Sequence, residues 1–211
     1  ADQLQNPRIA PGGRHMAAIE AASSDRATLA GRPLIADLQS GGVTEVAGVE
    51  DAAFLEWRDA SSLWFAAWQG LGTRFGVIAL DGSVDEWWAG DLTIGSRYTL
   101  RLSPSDDGAT LAAVVEDPGN PPEVALFDAA SRSWRRISDF NASIAALPLP
   151  RAEAVTWAAR DGIEIQGLLV RPPALAVHPG PMIVIVHGGP NLLWSQQFTN
   201  NARALALASE G

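Results

Sequence analysis

Through the first 150 residues, short apolar runs alternate with turns rich in Gly, Pro and Asp, and two phrases recur in step. The first phrase is a Pro/Gly turn followed by a small-and-apolar strand ending in an acid. It occurs at 9–20 and again at 102–116, and 55–68, midway between them, repeats the turn-then-strand shape without the proline. The second phrase is an apolar strand ending in Asp, then a polar turn and another short strand, at 33–37, 76–81 and 123–128. Its aspartates, Asp37, Asp81 and Asp128, are 44 and 47 residues apart. Repeats of about 40–50 residues, each holding one four-stranded sheet, are the pattern of a β-propeller. The chain therefore reads as three blades at about 1–48, 49–95 and 96–147, a partial propeller over 1–150. A β-sandwich with regular turns is the alternative that such spacing leaves open.

Beyond residue 150 the pattern changes. Two β-rich runs, 152–159 and 163–171, flank Asp161 and Gly162, and Asp-Gly in that position favours a hairpin because Gly accepts the positive φ of the turn. Met182, Ile183, Val184, Ile185 and Val186 follow as an unbroken apolar run, which predicts a strand buried on both faces, as in a parallel α/β sheet. His187, Gly188, Gly189 and Pro190 end it in a turn where two glycines bring backbone N–H groups into the open. Residues 198–211 then read as a helix, with Thr199 or Asn200 as N-cap, apolar positions at Ala202, Leu205, Ala206 and Ala208, and Gly211 as the C-terminal glycine.

Trp157, Asp161, Gly162, Ile165, Gly167, Leu169 and Pro172, then Pro181, His187, Gly188, Gly189 and Pro190, resemble the opening of the catalytic domain of the prolyl oligopeptidase family of serine peptidases, in particular its acylaminoacyl-peptidase and dipeptidyl-peptidase-like branch. The likeness covers about 151–211. It implies the N-terminal portion of an α/β-hydrolase domain after the propeller, and a peptidase acting on short peptides or acylated N-terminal residues. In such hydrolases the loop after the third strand supplies one oxyanion-hole donor, because acyl transfer builds negative charge on a carbonyl oxygen. The resemblance gives that role to the Gly189 N–H, with Gly188 permitting the sharp turn and His187 and Pro190 shaping the loop. Asn191, Leu192, Leu193 and Trp194 depart from the small or polar residues usual there. The turn 103–108 resembles the S-P-D-G habit of the family's blades, and the family's propeller, which screens substrates by size, usually has seven of them.

The hydrolase nucleophile sits in a G-x-S-x-G elbow, followed by the acid and then the His. No serine in this sequence has a glycine two positions before it, and His15, His178 and His187 all precede the place for the elbow. The chain is accordingly expected to be a fragment without catalytic residues of its own, the nucleophile, acid and base lying beyond Gly211. An esterase or other acyl hydrolase on the same scaffold, and a non-catalytic propeller interaction module, are the two other readings.

A net charge of −9 and a pI near 4.7 argue against nucleic acid as a partner, since phosphate binding needs a basic face. The longest aliphatic run falls far below the roughly 20 residues that span a bilayer, so no membrane segment is expected. The first twenty residues hold no signal-peptide core, and a cytoplasmic location is the default expectation. With no cysteine, disulfides, zinc–thiolate sites and thiol catalysis are excluded. Neither a metal nor a cofactor is expected: the acidic turns at Glu50, Asp51, Asp106 and Asp107 lack an EF-hand pattern, and His15 and His178 stand isolated. The eight tryptophans, including adjacent Trp87 and Trp88, suit packing between sheets. Three blades cannot close a ring, so self-association through exposed propeller or hydrolase edges is expected, and the family resemblance implies a peptide substrate.

Overall fold

The computed structural model describes residues 3–21, 30–96, 99–173, 181–186, 188 and 193–210, and most of them lie in antiparallel sheets. Strands β1 (Gln3–Ile9), β2 (His15–Ala21), β3 (Arg32–Asp37) and β4 (Val43–Glu45) form the first sheet in chain order. Strands β5 (Ala52–Trp57), β6 (Ser62–Gln69), β7 (Gly72–Ala79) and β8 (Val84–Gly90) form the second in the same way. The third sheet takes β9 (Thr93–Ser96), the short edge pieces β10 (Thr99–Leu100) and β11 (Ser103–Pro104), and then β12 (Thr110–Asp117), β13 (Asn120–Asp128) and β14 (Ser133–Arg136). Its order is β10-β9-β12-β13-β14, with β11 on β12. This sheet thus begins at Thr93, ahead of the 96 drawn from the repeat, and carries two strand pieces more than a four-stranded blade. A four-residue strand containing Gly95 offers no apolar run to mark it.

The repeated aspartates have a local cause. Asp37 Oδ1 accepts the backbone N–H groups of Gln39 at 2.8 Å and Ser40 at 3.3 Å. Asp81 Oδ1 accepts from Ser83 N at 2.9 Å and its Oγ at 2.7 Å, and Asp128 Oδ1 accepts from Ser131 N and Oγ, both at 2.7 Å. Each carboxylate folds back on the chain two or three residues ahead and so sets the turn into the last strand of its sheet. Asp107 does the same between β11 and β12, accepting from Ser105 Oγ and Ala109 N.

These turns have a consequence for pH. The Arg14 guanidinium holds Asp37 well below the usual carboxylate range, and hydrogen bonds from Ser83, Ser105 and Ser131 lower Asp81, Asp107 and Asp128 in the same direction. Ser61 does so for Asp59. Groups whose pKa falls on folding stabilise the fold above their unfolded pKa of about 3.9, and that stabilisation is lost as pH drops through the folded values. Asp51, raised by burial, works in the opposite sense. Denaturant unfolding should give a free energy that is flat from pH 7 to about pH 4 and falls below it. A value at pH 3 equal to that at pH 7 would contradict this assignment of the turns.

Stacking of the three sheets makes the core. Strand β6 is buried on both sides, and its alternate residues divide between two neighbours. Leu63, Phe65 and Ala67 join Ala17, Ile19 and Ile35 of the first sheet, while Trp64, Ala66 and Trp68 join Leu111, Val115 and Phe127 of the third. A period of two with both faces covered is what a central blade requires. Phe75 stands in the second of these layers, 4.8 Å edge-to-face from Phe127, 5.7 Å from Trp134 and 6.0 Å from Trp88 between ring centroids. The tryptophans of the blades therefore pack between sheets. Trp57 adds a hydrogen bond from its Nε1 to the carbonyl of Arg8, at 2.8 Å, across the first two sheets.

A polar clamp closes the third sheet and starts the connection onward. Glu123 is buried, takes hydrogen bonds from Ser138 Oγ and, at 2.6 Å, from Asn141 N, and its pKa is lowered chiefly by Ser138. The Asn141 amide donates to Pro122 O at 2.7 Å. A single helical turn, α1 (Ala142–Ala145), follows, and then the hairpin of β15 (Arg151–Ala158) and β16 (Glu164–Arg171). Its turn is the expected Asp-Gly: Gly162 has φ +86°, and Asp161 Oδ1 accepts from Ile163 N at 3.2 Å. Gly167 lies under the Trp157 indole, where a Cβ would come within 3.0 Å of the ring, so these two residues of the motif are explained by one contact.

Two local expectations are corrected. Met182 to Val186 form no strand, and their side chains are 52–87% exposed. A strand exists only through its partners, and among the described residues every strand is paired within one of the sheets above, leaving none beside 182–186. The last helix, α2 (Phe198–Ser209), starts from Gln197, whose backbone is extended (φ −96°, ψ 137°), and not from Thr199 or Asn200. No side chain caps it; Asn201 Nδ2 instead donates to Gln197 O at 2.6 Å. Gly211 lies outside the described residues.

Candidate functional site

Of the loop singled out in the sequence, His187, Gly189 and Pro190 lie outside the described residues. Gly188 is exposed, and a Cβ built on it would meet no heavy atom within 4 Å. What the structure does define is where the chain goes next. Leu193 packs against the core shared by the second and third sheets, so it faces the blades. Ser195, Gln196 and Gln197 are all buried. Gln196 donates its backbone N–H to Leu71 O at 2.9 Å, in the turn between β6 and β7, and its Nε2 to Asp91 Oδ1 at 3.2 Å, between β8 and β9. Asn201, one turn into α2 and also buried, donates to the carbonyls of Gln197 and Ser195. The segment after the loop is thus seated on the second sheet, not free of it.

The receiving surface is itself fixed. Thr73, fully buried, donates its Oγ1 to Leu92 O at 2.5 Å and so holds the β8–β9 connection. Gly72 allows that connection to pass close by: a Cβ there would fall 2.3 Å from the carbonyl of Gly90. On the other side of the β6–β7 turn, a Cβ built on Gly70 (φ +57°) would lie 3.6 Å from the Gln166 amide of β16, so one turn of the second sheet comes close to the hairpin and bonds the segment leading into α2.

An open groove of about 680 Å³ lies beside this junction. The β8–β9 and β12–β13 connections form one wall, with Asp91, Asp117 and Gly119, and the stretch leading into β15 forms the other, with Leu147 and Arg151; Gln196 lies at its edge. Asp117 is already committed, accepting from Gly119 N and Asn120 Nδ2 at 2.9 Å with Arg136 at 3.7 Å. The volume is within the range of ligand clefts, about 300–1,000 Å³. Among the described residues no three His, Cys, Asp or Glu side chains are grouped as a metal ion would need, and no helix is long and apolar enough to cross a membrane. Sequence reading missed Gln196 and Asp91; the only signal was a polar trio, Ser195 to Gln197, between apolar neighbours.

No protein-family model matches the chain, and no curated protein matches it in sequence. Solved structures do match. The acylaminoacyl peptidase of Pyrococcus horikoshii superposes with a TM-score of 0.71 at 19% identity, over 98% of this chain and 31% of that one. The AtxE2 isopeptidase gives 0.65 at 18% identity, over 92% and 29%, and a puromycin hydrolase 0.53 at 18%, over 81% and 26%. Identities this low establish the fold, and the fold is the one these propeller-containing peptidases share over that stretch. The resemblance to the prolyl oligopeptidase family drawn from the sequence therefore holds at the level of architecture. The chain spans between 26% and 31% of the length of these three structures.

Proposed function

We propose that this chain is part of a serine peptidase of the prolyl oligopeptidase family, acting on short peptides or on acylated N-terminal residues. One observation carries the reading: the His-Gly-Gly-Pro run of the sequence follows the hairpin, after the apolar stretch 182–186, and precedes a segment seated on the blades, in a chain whose fold follows an acylaminoacyl peptidase over 98% of its length. In this reading residues 1–150 are propeller and 151–211 begin the hydrolase domain. The Gly189 N–H receives the oxyanion, Gly188 turns the chain, and His187 and Pro190 shape the loop. The groove beside Asp91 and Arg151 leaves room for a few residues of peptide. The serine, acid and histidine are supplied from sequence after Gly211.

The reading is tested by turnover. A polypeptide continuing past Gly211 through a G-x-S-x-G elbow should hydrolyse acyl-aminoacyl or dipeptidyl anilides in preference to simple p-nitrophenyl esters. Activity on esters alone would assign an esterase instead, and activity on neither would leave a propeller interaction module. The 211-residue chain alone should turn over none of them, because a donor without a nucleophile gives only residual catalysis. Hydrolysis by the purified chain above its own heat-denatured control would contradict this.

Self-association belongs to the same proposal. Outer faces of the first and third sheets and the exposed run 182–186 present apolar surface, and such patches associate. The isolated chain should elute as an oligomer in sizing with light scattering. A sharp monomer peak across a tenfold concentration range would contradict it.

A further inference from the structure

We propose that Gln196 is a positioning residue, tying the segment that follows the 187–190 loop to the second sheet so that the blades set where the loop's donors stand. This rests on the hydrolase reading above. Gln196 makes two bonds from one buried residue: its backbone N–H to Leu71 O at 2.9 Å and its side-chain Nε2 to Asp91 Oδ1 at 3.2 Å. The two acceptors belong to two connections, the β6–β7 turn within the second sheet and the β8–β9 link from the second sheet to the third, and Thr73 holds the second of them in place. A residue bonded at two points cannot rotate about either one. Gln196 stands eight residues after Gly188, with Leu193 packed on the blade core between them. Loosening the tie therefore leaves the packing of Leu193 as the nearest hold on the blades at the C-terminal side of 187–190. Asp91 is exposed, and its side chain offers the acceptor oxygen that the Gln196 amide uses. It is also the better place to cut, since an exposed side chain can be removed without opening the core.

The experiment has two arms. In the 211-residue chain, amide hydrogen exchange of residues 193–197 is compared between wild type, Asp91→Ala and Asp91→Asn. Losing one such bond should speed exchange of this segment about five-fold, the equivalent of roughly 1 kcal/mol, while β6 and β7 keep their protection. Asp91→Asn retains an acceptor oxygen and should restore most of it. Unchanged exchange in Asp91→Ala would overturn the tie. In the longer polypeptide that carries the nucleophile, Asp91→Ala and Gln196→Leu should each lower kcat several-fold at nearly constant KM, with recovery in Asp91→Asn. A change in KM alone, or loss of stability with normal kcat, would reduce Gln196 to a packing residue and overturn the positioning role. Absence of all hydrolysis by the wild-type longer polypeptide would remove the hydrolase reading and the positioning role with it, while the exchange arm still decides whether the tie exists.

Discussion

Phe75→Ala should lower folding stability by about 3–5 kcal/mol, the range for deleting a fully buried large aromatic. The side chain is wholly inaccessible and sits where the second and third sheets meet, among Phe127, Trp134 and Trp88. Its removal costs transfer free energy and leaves a cavity lined by rigid rings, which cannot collapse to fill it. For a chain of this size each kcal/mol corresponds to about 2–4 °C, so the melting temperature should drop by roughly 6–20 °C. Trp157→Ala is the control: that ring is 50% exposed on the β15–β16 hairpin and belongs to neither core cluster, so its loss should move the transition far less. Equal shifts for the two variants would mean that the blades are not stacked through the layer described.

Gly189→Val should have the largest effect on chemistry. In the longer polypeptide a β-branched side chain at this point would crowd the approaching carbonyl and force the backbone from the conformation that a glycine permits. Loss of one oxyanion donor typically costs about 10²–10³ in kcat, or roughly 2.7–4 kcal/mol. The loss should fall on kcat and spare the affinity for a ground-state analogue, because the donor matters most once charge has developed. Steady-state kinetics together with the inhibition constant of an uncleavable peptide separate the two. A folded variant with near-normal kcat would take the loop out of the active site.

The difference between what could and could not be read from the sequence follows from the range of the forces involved. Asp37, Asp81 and Asp128 announced the blades because each makes its turn from its own neighbours, so the signal is complete within a few residues. Asp161 and Gly162 announced the hairpin for the same reason. Leu63 to Trp68, an unbroken apolar run, read only as one strand of a repeat; its burial on both sides comes from the sheets that flank it. By contrast, β9 is four residues with a glycine and is a strand only because β10 and β12 lie on either side of it. Met182 to Val186 illustrate the converse: apolar composition states a demand for burial, but only neighbouring strands can meet it. The role of Gln196 could not be read at all. It depends on Leu71 and Asp91, more than a hundred residues earlier in the chain, and the polar trio Ser195 to Gln197 marks the segment without naming its partners.

The central claim is that the loop at 187–190 serves a serine nucleophile supplied from sequence after Gly211. Fluorophosphonate labelling tests it most directly, with mass spectrometry to locate the adduct in the 211-residue chain and in the longer polypeptide. The account predicts no adduct anywhere within residues 1–211, and in the longer polypeptide a single adduct on the serine of a G-x-S-x-G elbow. An adduct on any serine of this chain, or none in either protein, would contradict it.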